Sequence, residues 1–179
     1  MGISTGDNKK YLSTEATSEK HKKIISGSEV SRYFLNKYTH YVYYEPKLLD
    51  RAREESIFLT DEKLISKFVG TNLTFCFDNQ QHFVLNTACS VVLKNDELNI
   101  KYLLVLLNSK LVDWYFHIMF SDYRETFPIM KSGNIENLPI PKIPLSAQQP
   151  FVELADKMLI LHKDVNELKI ILSNYLEVS

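Results

Sequence analysis

The segment SGNIENLPIPKIPLSAQQPFVELADKM, residues 132–158, sets Pro139, Pro141 and Pro144 within six residues and then turns helical. Pro141-Lys142-Ile143-Pro144 fits the P-x-x-P pattern of peptides that dock on SH3 domains. Such ligands are displayed on polar, disordered tails. Here Leu138, Ile140 and Ile143 interleave the prolines. That alternation predicts an extended rail packed on a domain, its prolines leaving one edge without backbone donors. The rail is then a connector, and the elements on either side of it set the fold.

Downstream, Phe151, Leu154, Met158, Leu161, Val165, Leu168, Leu172 and Tyr175 recur at alternating steps of 3 and 4. That is an a/d heptad seam, and so narrow a stripe calls for a helix alongside, from this domain or from a partner. Ser146 and Gln149 have capping-box spacing. Pro150 is then expected in the first turn, since deeper inside it would cost about 3 kcal/mol.

Upstream, Leu103, Leu107, Leu111, Trp114 and Ile118 mark one amphipathic helix from about Asn99 to about Phe120. Trp114, Tyr115 and Phe116 read as core on that helix rather than as a base-stacking platform. SDYRETFPIMKSGN, residues 121–134, reads as loop.

Before that helix the pattern is β. HYVYYE from His40, KLISKFV around Ile65 and CSVVLK from Cys89 read as strands. LTFCFD alternates, with Leu73, Phe75 and Phe77 on one face and Thr74, Cys76 and Asp78 on the other. HFVLN is expected to return beside it as a hairpin across the NQQ turn. Ser28 is placed as the N-cap of a short helical turn through Arg32. Pro46 opens a helix with Lys47 and Arg51 on one face. The polar residues 1–23 read as loop with at most one strand. The expected class is α+β: a small mixed or antiparallel sheet with hairpins, covered by a long amphipathic helix, plus a long C-terminal helix with a heptad seam. Residues 1–145 form the domain and 146–179 the long helix.

The chain has 179 residues, 45% hydrophobic and 12% aromatic, which is a globular composition. The net charge of -1 excludes a uniformly basic coat. The charge is uneven, however. Residues 1–53 carry ten Lys and Arg against six Asp and Glu, whereas residues 54–100 carry three against seven. An anionic partner is therefore expected on the N-terminal third. Cys76 and Cys89 read as buried free thiols. With no signal peptide and no apolar run near 20 residues, the expectation is a soluble cytoplasmic protein without membrane contact.

Catalytic patterns are missing. There is no phosphate-binding glycine loop, no G-x-S-x-G and no H-E-x-x-H. His117 and His162 fall on expected helices, where a solvated or core histidine is the plain reading. Glu45-Pro46-Lys47 spells half of a nuclease metal site without its upstream Asp. The Asn/Asp-Pro-Pro-Tyr/Phe loop of DNA amino-methyltransferases is absent. The chain alone is not expected to be an enzyme.

The order of motifs resembles the C-terminal specificity (target-recognition) domain of TaqI-like adenine DNA methyltransferases and fused restriction–methylation enzymes. It is more loosely similar to type I specificity subunits. GISTGDNKKY resembles the family's leading segment, and ISGSEVSRYFLNKYTHYVYYEP its G-x-D/E-I/V-x-R-Y … Y-I-x-Y region. KLISKFVGTNLTFCFDNQQHFVLNTA resembles its lysine-led strand and hairpin. KYLLVLLNSKLVDWYFHIMF is similar to its YLLxLLNSKLxxWYF stretch, and FPIMKSGNIENLPIPKIPLSAQQPFVELADKML to its LP-I-P tail and following helix.

The resemblance implies target recognition on double-stranded DNA. A methyltransferase domain, N-terminal in the same polypeptide or a separate subunit, would flip out and methylate an adenine. S-adenosylmethionine and Mg2+ would belong to such partner catalytic domains, and no cofactor is expected in this chain. The chain then reads as an excised domain or a separate small specificity protein. A protein-interaction or dimerisation module acting through the C-terminal helix is the competing reading.

For DNA, phosphate contacts fall to Lys9, Lys10, Lys47, Arg51, Arg53 and Lys67, with a solvated charged face as the alternative for each. Base readout needs amides or bidentate groups on a rigid loop, which nominates Thr71, Asn72, Gln80 and Gln81, with Asn79 and His82 beside them. Plain turn chemistry is the alternative there. Arg32 matches a family arginine and faces either a phosphate or Glu29. Arg124 and Lys131 are second-tier contacts on the loop after the long helix.

Overall fold

The computed structural model describes residues 1–38, 40–120 and 129–177. In chain order the elements are α1 (Asn8–Tyr11), β1 (Leu12–Ser13), β2 (His21–Ile25), β3 (Val30–Ser31), β4 (Phe34–Leu35), β5 (His40–Tyr43), α2 (Glu55–Phe58), β6 (Lys63–Lys67), β7 (Phe75–Asp78), β8 (Phe83–Val84), β9 (Ala88–Val91), α3 (Ile100–Leu107), α4 (Lys110–Phe120), α5 (Ser132–Glu136) and α6 (Leu145–Glu177). The class is α+β, as the sequence predicts.

The strands form three small sheets, ordered β1-β5-β2-β8, β3-β4 and β7-β6-β9. β6 is the centre of the third, antiparallel to β7 with Lys63 opposite Asp78, and antiparallel to β9 with Lys67 opposite Ala88. Leu64 and Phe75 face a core built with α3, α4 and α6. Ile65, Cys76 and Ala88 face a second core with β2, β5, β8 and Phe58. Both faces of β6 are covered, so Lys63, Leu64, Ile65 and Ser66 are all buried in succession.

Several expectations change. HFVLN does not return beside LTFCFD. β8 crosses to the other sheet and pairs in parallel with β2, Ile24 opposite Phe83. Ser26, not Ser28, caps the turn Gly27–Glu29, because the Glu29 carboxylate reaches back to the Ser26 backbone. Pro46 opens only a 3-10 turn ending at Leu48, so Lys47 and Arg51 share no helix face.

The expected single helix over residues 99–120 is two, α3 and α4, bent by 67°. Asn108 and Ser109 make the break. Ser109 Oγ accepts from Val112 N at 3.2 Å and starts the second helix. The Asn108 amide accepts from Phe75 N at 3.0 Å and donates to Phe75 O at 2.9 Å, so it completes the edge of β7. After the bend α4 buries Val112, Asp113 and Phe116. Trp114, read as core, is 60% exposed.

The proline rail behaves as expected. Leu138 is buried and Ile140 packs on the first core, while Pro139 and Pro141 face outward. Tyr102 Oη donates to Pro141 O at 2.9 Å. The Pro144 carbonyl accepts from Ala147 N and Gln148 N, so α6 begins at Leu145. Ser146 and Gln149 therefore miss the cap positions, and Pro150 lies in the second turn rather than the first. Gln148 is sealed from solvent and joins three segments. It accepts from Asn99 N and donates to the Glu97 and Ile143 carbonyls.

α6 docks through a stripe that keeps the seam residues Phe151 and Met158 but has Ala155 and His162 in place of the exposed Leu154 and Leu161. Phe151 meets the Tyr102 ring, Ala155 is 0% exposed, and His162 meets the Tyr33 ring. Beyond that the seam residues Val165, Leu168, Leu172 and Tyr175 are exposed. Among the described residues no single helix is long and apolar enough to cross a membrane.

Candidate nucleic-acid interface

The β7-β6-β9 sheet presents two ends. Four residues along β6 separate them, about 13 Å at the usual strand rise. Gln80 and Gln81 lie at the Lys63 end, whereas Thr71 and Asn72 lie beyond Lys67. The expected base-reading residues thus split into two groups.

The Lys63 end rests on buried charge. Lys63 Nζ contacts Asp78 Oδ2 at 2.6 Å and donates to Phe58 O at 2.7 Å. His82 Nδ1 lies 2.8 Å from Asp78 Oδ1, and Gln80 N and His82 N both donate to the same carboxylate. Burial pushes the Asp78 carboxyl upward, but the hydrogen bonds and charges of His82 and Lys63 outweigh it, so its pKa is lowered. The 78–82 turn is thereby fixed. Gln81 takes a left-handed φ of 56° and spends its amide on Leu59 O at 2.9 Å. Gln80 is exposed with its amide unspent among the described residues, and Asn79 is exposed beside it. That end of the molecule carries exposed Asp61, Glu62, Asp96 and Glu97 against Lys94 and Lys142, the last 3.1 Å from Glu97.

The Lys67 end is different. Lys67, Met1, Val69 and Asn86 border one open cleft of about 530 Å³. Arg53 is exposed and its Nε donates to Met1 O at 3.0 Å, while its side chain borders a separate cleft that also carries Glu19, Glu54 and Glu55. Val69 bridges Ile129, two residues from exposed Lys131. Arg53, Lys67 and Lys131 have no carboxylate partner among the described residues. Of the three, Lys67 lines the cleft itself, Lys131 follows the Ile129 bridge to Val69, and Arg53 reaches it through its bond to Met1 O.

The other nominated residues have separate fates. Arg32 turns toward the 71–74 loop and α4. Its Nε donates to Leu73 O at 3.1 Å and its Nη2 lies 3.7 Å from Asp113. Asp113, missed in the sequence, also accepts from Leu73 N at 2.6 Å and from the Asn72 amide at 2.8 Å. Asn72 is therefore committed to the loop, and its Oδ1 accepts from Thr71. Arg51 is partly enclosed: its backbone pairs with Ser4 and its Nε is buried without a partner among the described residues. Lys9, Lys10 and Lys47 are exposed, Lys10 lying over the Tyr11 ring. Arg124 lies outside the described residues. No group of three or more His, Cys, Asp or Glu among those residues could hold a metal ion.

Residues 22–140, well over half of the chain, match the family model described as the TaqI-like C-terminal specificity domain. The chain belongs to that family. No curated protein matches it. Membership in the TaqI-like specificity family places the chain in the restriction–modification and methyltransferase context, with target recognition as its role. The match covers the whole β7-β6-β9 sheet, both of its ends, and the α3–α4 bend.

Proposed function

We propose that this TaqI-like specificity domain binds duplex DNA on the Lys67 end of the β7-β6-β9 sheet. It reads sequence there for an adenine-N6 methyltransferase or a fused restriction–modification enzyme and performs no chemistry itself. The observation that carries this is the charge contrast between the two ends. Lys67 lines an open cleft at one end, with Lys131 two residues past the Val69–Ile129 bridge and Arg53 joined through Met1 O, and none of the three has a carboxylate partner among the described residues, whereas exposed carboxylates outnumber lysines at the other end. Phosphates are drawn to the first and repelled from the second. The partner catalytic domain would supply S-adenosylmethionine, and Mg2+ where a nuclease is present. A cytoplasmic site of action follows from such a partner. Equilibrium binding to a pool of duplexes with randomised centres tests the reading. Retention at low salt with an enriched motif is expected, and a chain that retains no duplex overturns it.

The exposed seam on the outer half of α6 favours a second role, association through that helix. Val165, Leu168, Leu172 and Tyr175 lie beyond the docked stripe and offer an apolar strip to another helix. Sedimentation at micromolar concentration separates the two. Association abolished by Leu168→Glu with Leu172→Glu supports the second role, and a strict monomer removes it.

A further inference from the structure

Asn86 sits in the turn between β8 and β9, and its exposed amide has no hydrogen-bond partner among the described residues. Asparagine in a turn ordinarily either adopts a left-handed backbone or caps a nearby backbone group. Asn86 does neither: it is not among the positive-φ residues and its side chain makes no cap. Its backbone, in contrast, is held firmly. Asn86 N donates to Ile3 O at 2.8 Å, Phe68 N donates to Thr87 O at 3.0 Å, and Gly27 N donates to Thr87 Oγ1 at 3.0 Å. A Cβ on Gly27 would lie 2.4 Å from Thr87 O, so only glycine allows that approach. Three distant segments thus fix a turn in which the Asn86 amide has no partner among the described residues.

We propose that Asn86 is a base-reading residue that recognises the adenine of an A·T pair from the major groove. This inference rests on the DNA reading above. An amide sets a donor and an acceptor side by side, which matches adenine N7 and N6–H. Lys67 stands at the same cleft as a phosphate anchor. Val69, 48% exposed at the rim, gives an apolar wall for the thymine methyl. The alternative amides are worse placed. Asn72 is spent on Asp113, Gln81 on Leu59, and Gln80 lies just past Asp78 at the opposite end of the sheet. A rigid support loses little entropy when the base edge docks.

The test selects duplexes from a pool with randomised centres, using the wild-type chain, Asn86→Ala, Asn86→Asp and Lys67→Ala. The wild-type motif is expected to contain one A·T position at which Asn86→Ala loses discrimination of about tenfold or more, with the other positions and the salt slope unchanged. Asn86→Asp, an acceptor only, should disfavour adenine at that position. Lys67→Ala should weaken every duplex alike. An unchanged motif with Asn86→Ala overturns the assignment while leaving the DNA reading intact. Equal loss on all duplexes also overturns it, because that marks a phosphate contact. A wild-type chain that enriches no motif overturns both.

Discussion

Lys63 Nζ lies 2.6 Å from Asp78 Oδ2, with both side chains sealed from solvent. The pair joins the first residue of β6 to the last of β7, and through Phe58 O and His82 it also grips α2 and the 78–82 turn. Buried charges in such a pair are costly to separate, so its main effect is to fix geometry.

Asp78→Asn should destabilise the fold by about 3–5 kcal/mol, because Lys63 is left as an unpaired buried charge. Lys63→Met should cost less, since Asp78 keeps His82 and two backbone donors. The double variant should recover part of the Asp78→Asn loss. Urea denaturation of the four proteins checks the cycle, and additive losses would show that the pair is not coupled.

Acid should expose the same carboxylate. A group whose folded pKa is lowered stabilises the fold at every pH above its unfolded value, about 3.9 for Asp. That contribution fades as pH falls from there through the folded pKa. Wild-type urea midpoints should therefore drop below about pH 4, and the acid limb of Asp78→Asn should be flatter. Parallel acid limbs would assign the loss to other carboxylates.

Gln148→Ala should cost on the order of 2–3 kcal/mol, since it strands Asn99 N and two carbonyls in a sealed site. Gln148→Glu keeps the acceptor but not the donors, and should also destabilise. Thermal unfolding gives the ranking. A neutral alanine variant would mean that water replaces the side chain.

The thiols should be silent in the folded state. Cys76 and Cys89 are free and buried, and burial pushes the Cys76 thiol far up from its ordinary value. A thiol-specific chromogen at mild alkaline pH should label neither until denaturant is added. Rapid labelling of native protein would contradict the buried placement of these strands.

What the sequence revealed follows from local chemistry. β5, β6 and β9 were legible because β-branched and aromatic residues cluster there, and the proline rail because its apolar residues alternate. β2 was not, since HKKII opens with three charge-bearing residues whose partners lie on β5 and β8. The bend between α3 and α4 was hidden because Leu103 to Ile118 keeps helical spacing through it. Only the tertiary reach of Asn108 to Phe75 reveals the break. Arg53, Lys67 and Lys131 were all nominated for charge, but Asn86 was read as the end of a hairpin strand and so was passed over. The seam on α6 was legible as apolar periodicity, but only its Phe151 and Met158 dock, because packing against Tyr33 and the core takes Ala155 and His162 rather than Leu154 and Leu161.

The most direct test of the DNA-binding end is the salt dependence of binding to a selected duplex. Wild-type affinity should fall linearly with log salt. Replacing Arg53, Lys67 and Lys131 together by Ala should reduce the slope by about one unit for each cation removed. Lys94→Ala with Lys142→Ala, on the opposite end, should leave it unchanged. A triple variant with the wild-type slope, or a slope lost only on replacing Lys94 and Lys142, would contradict the placement of DNA on the Lys67 end.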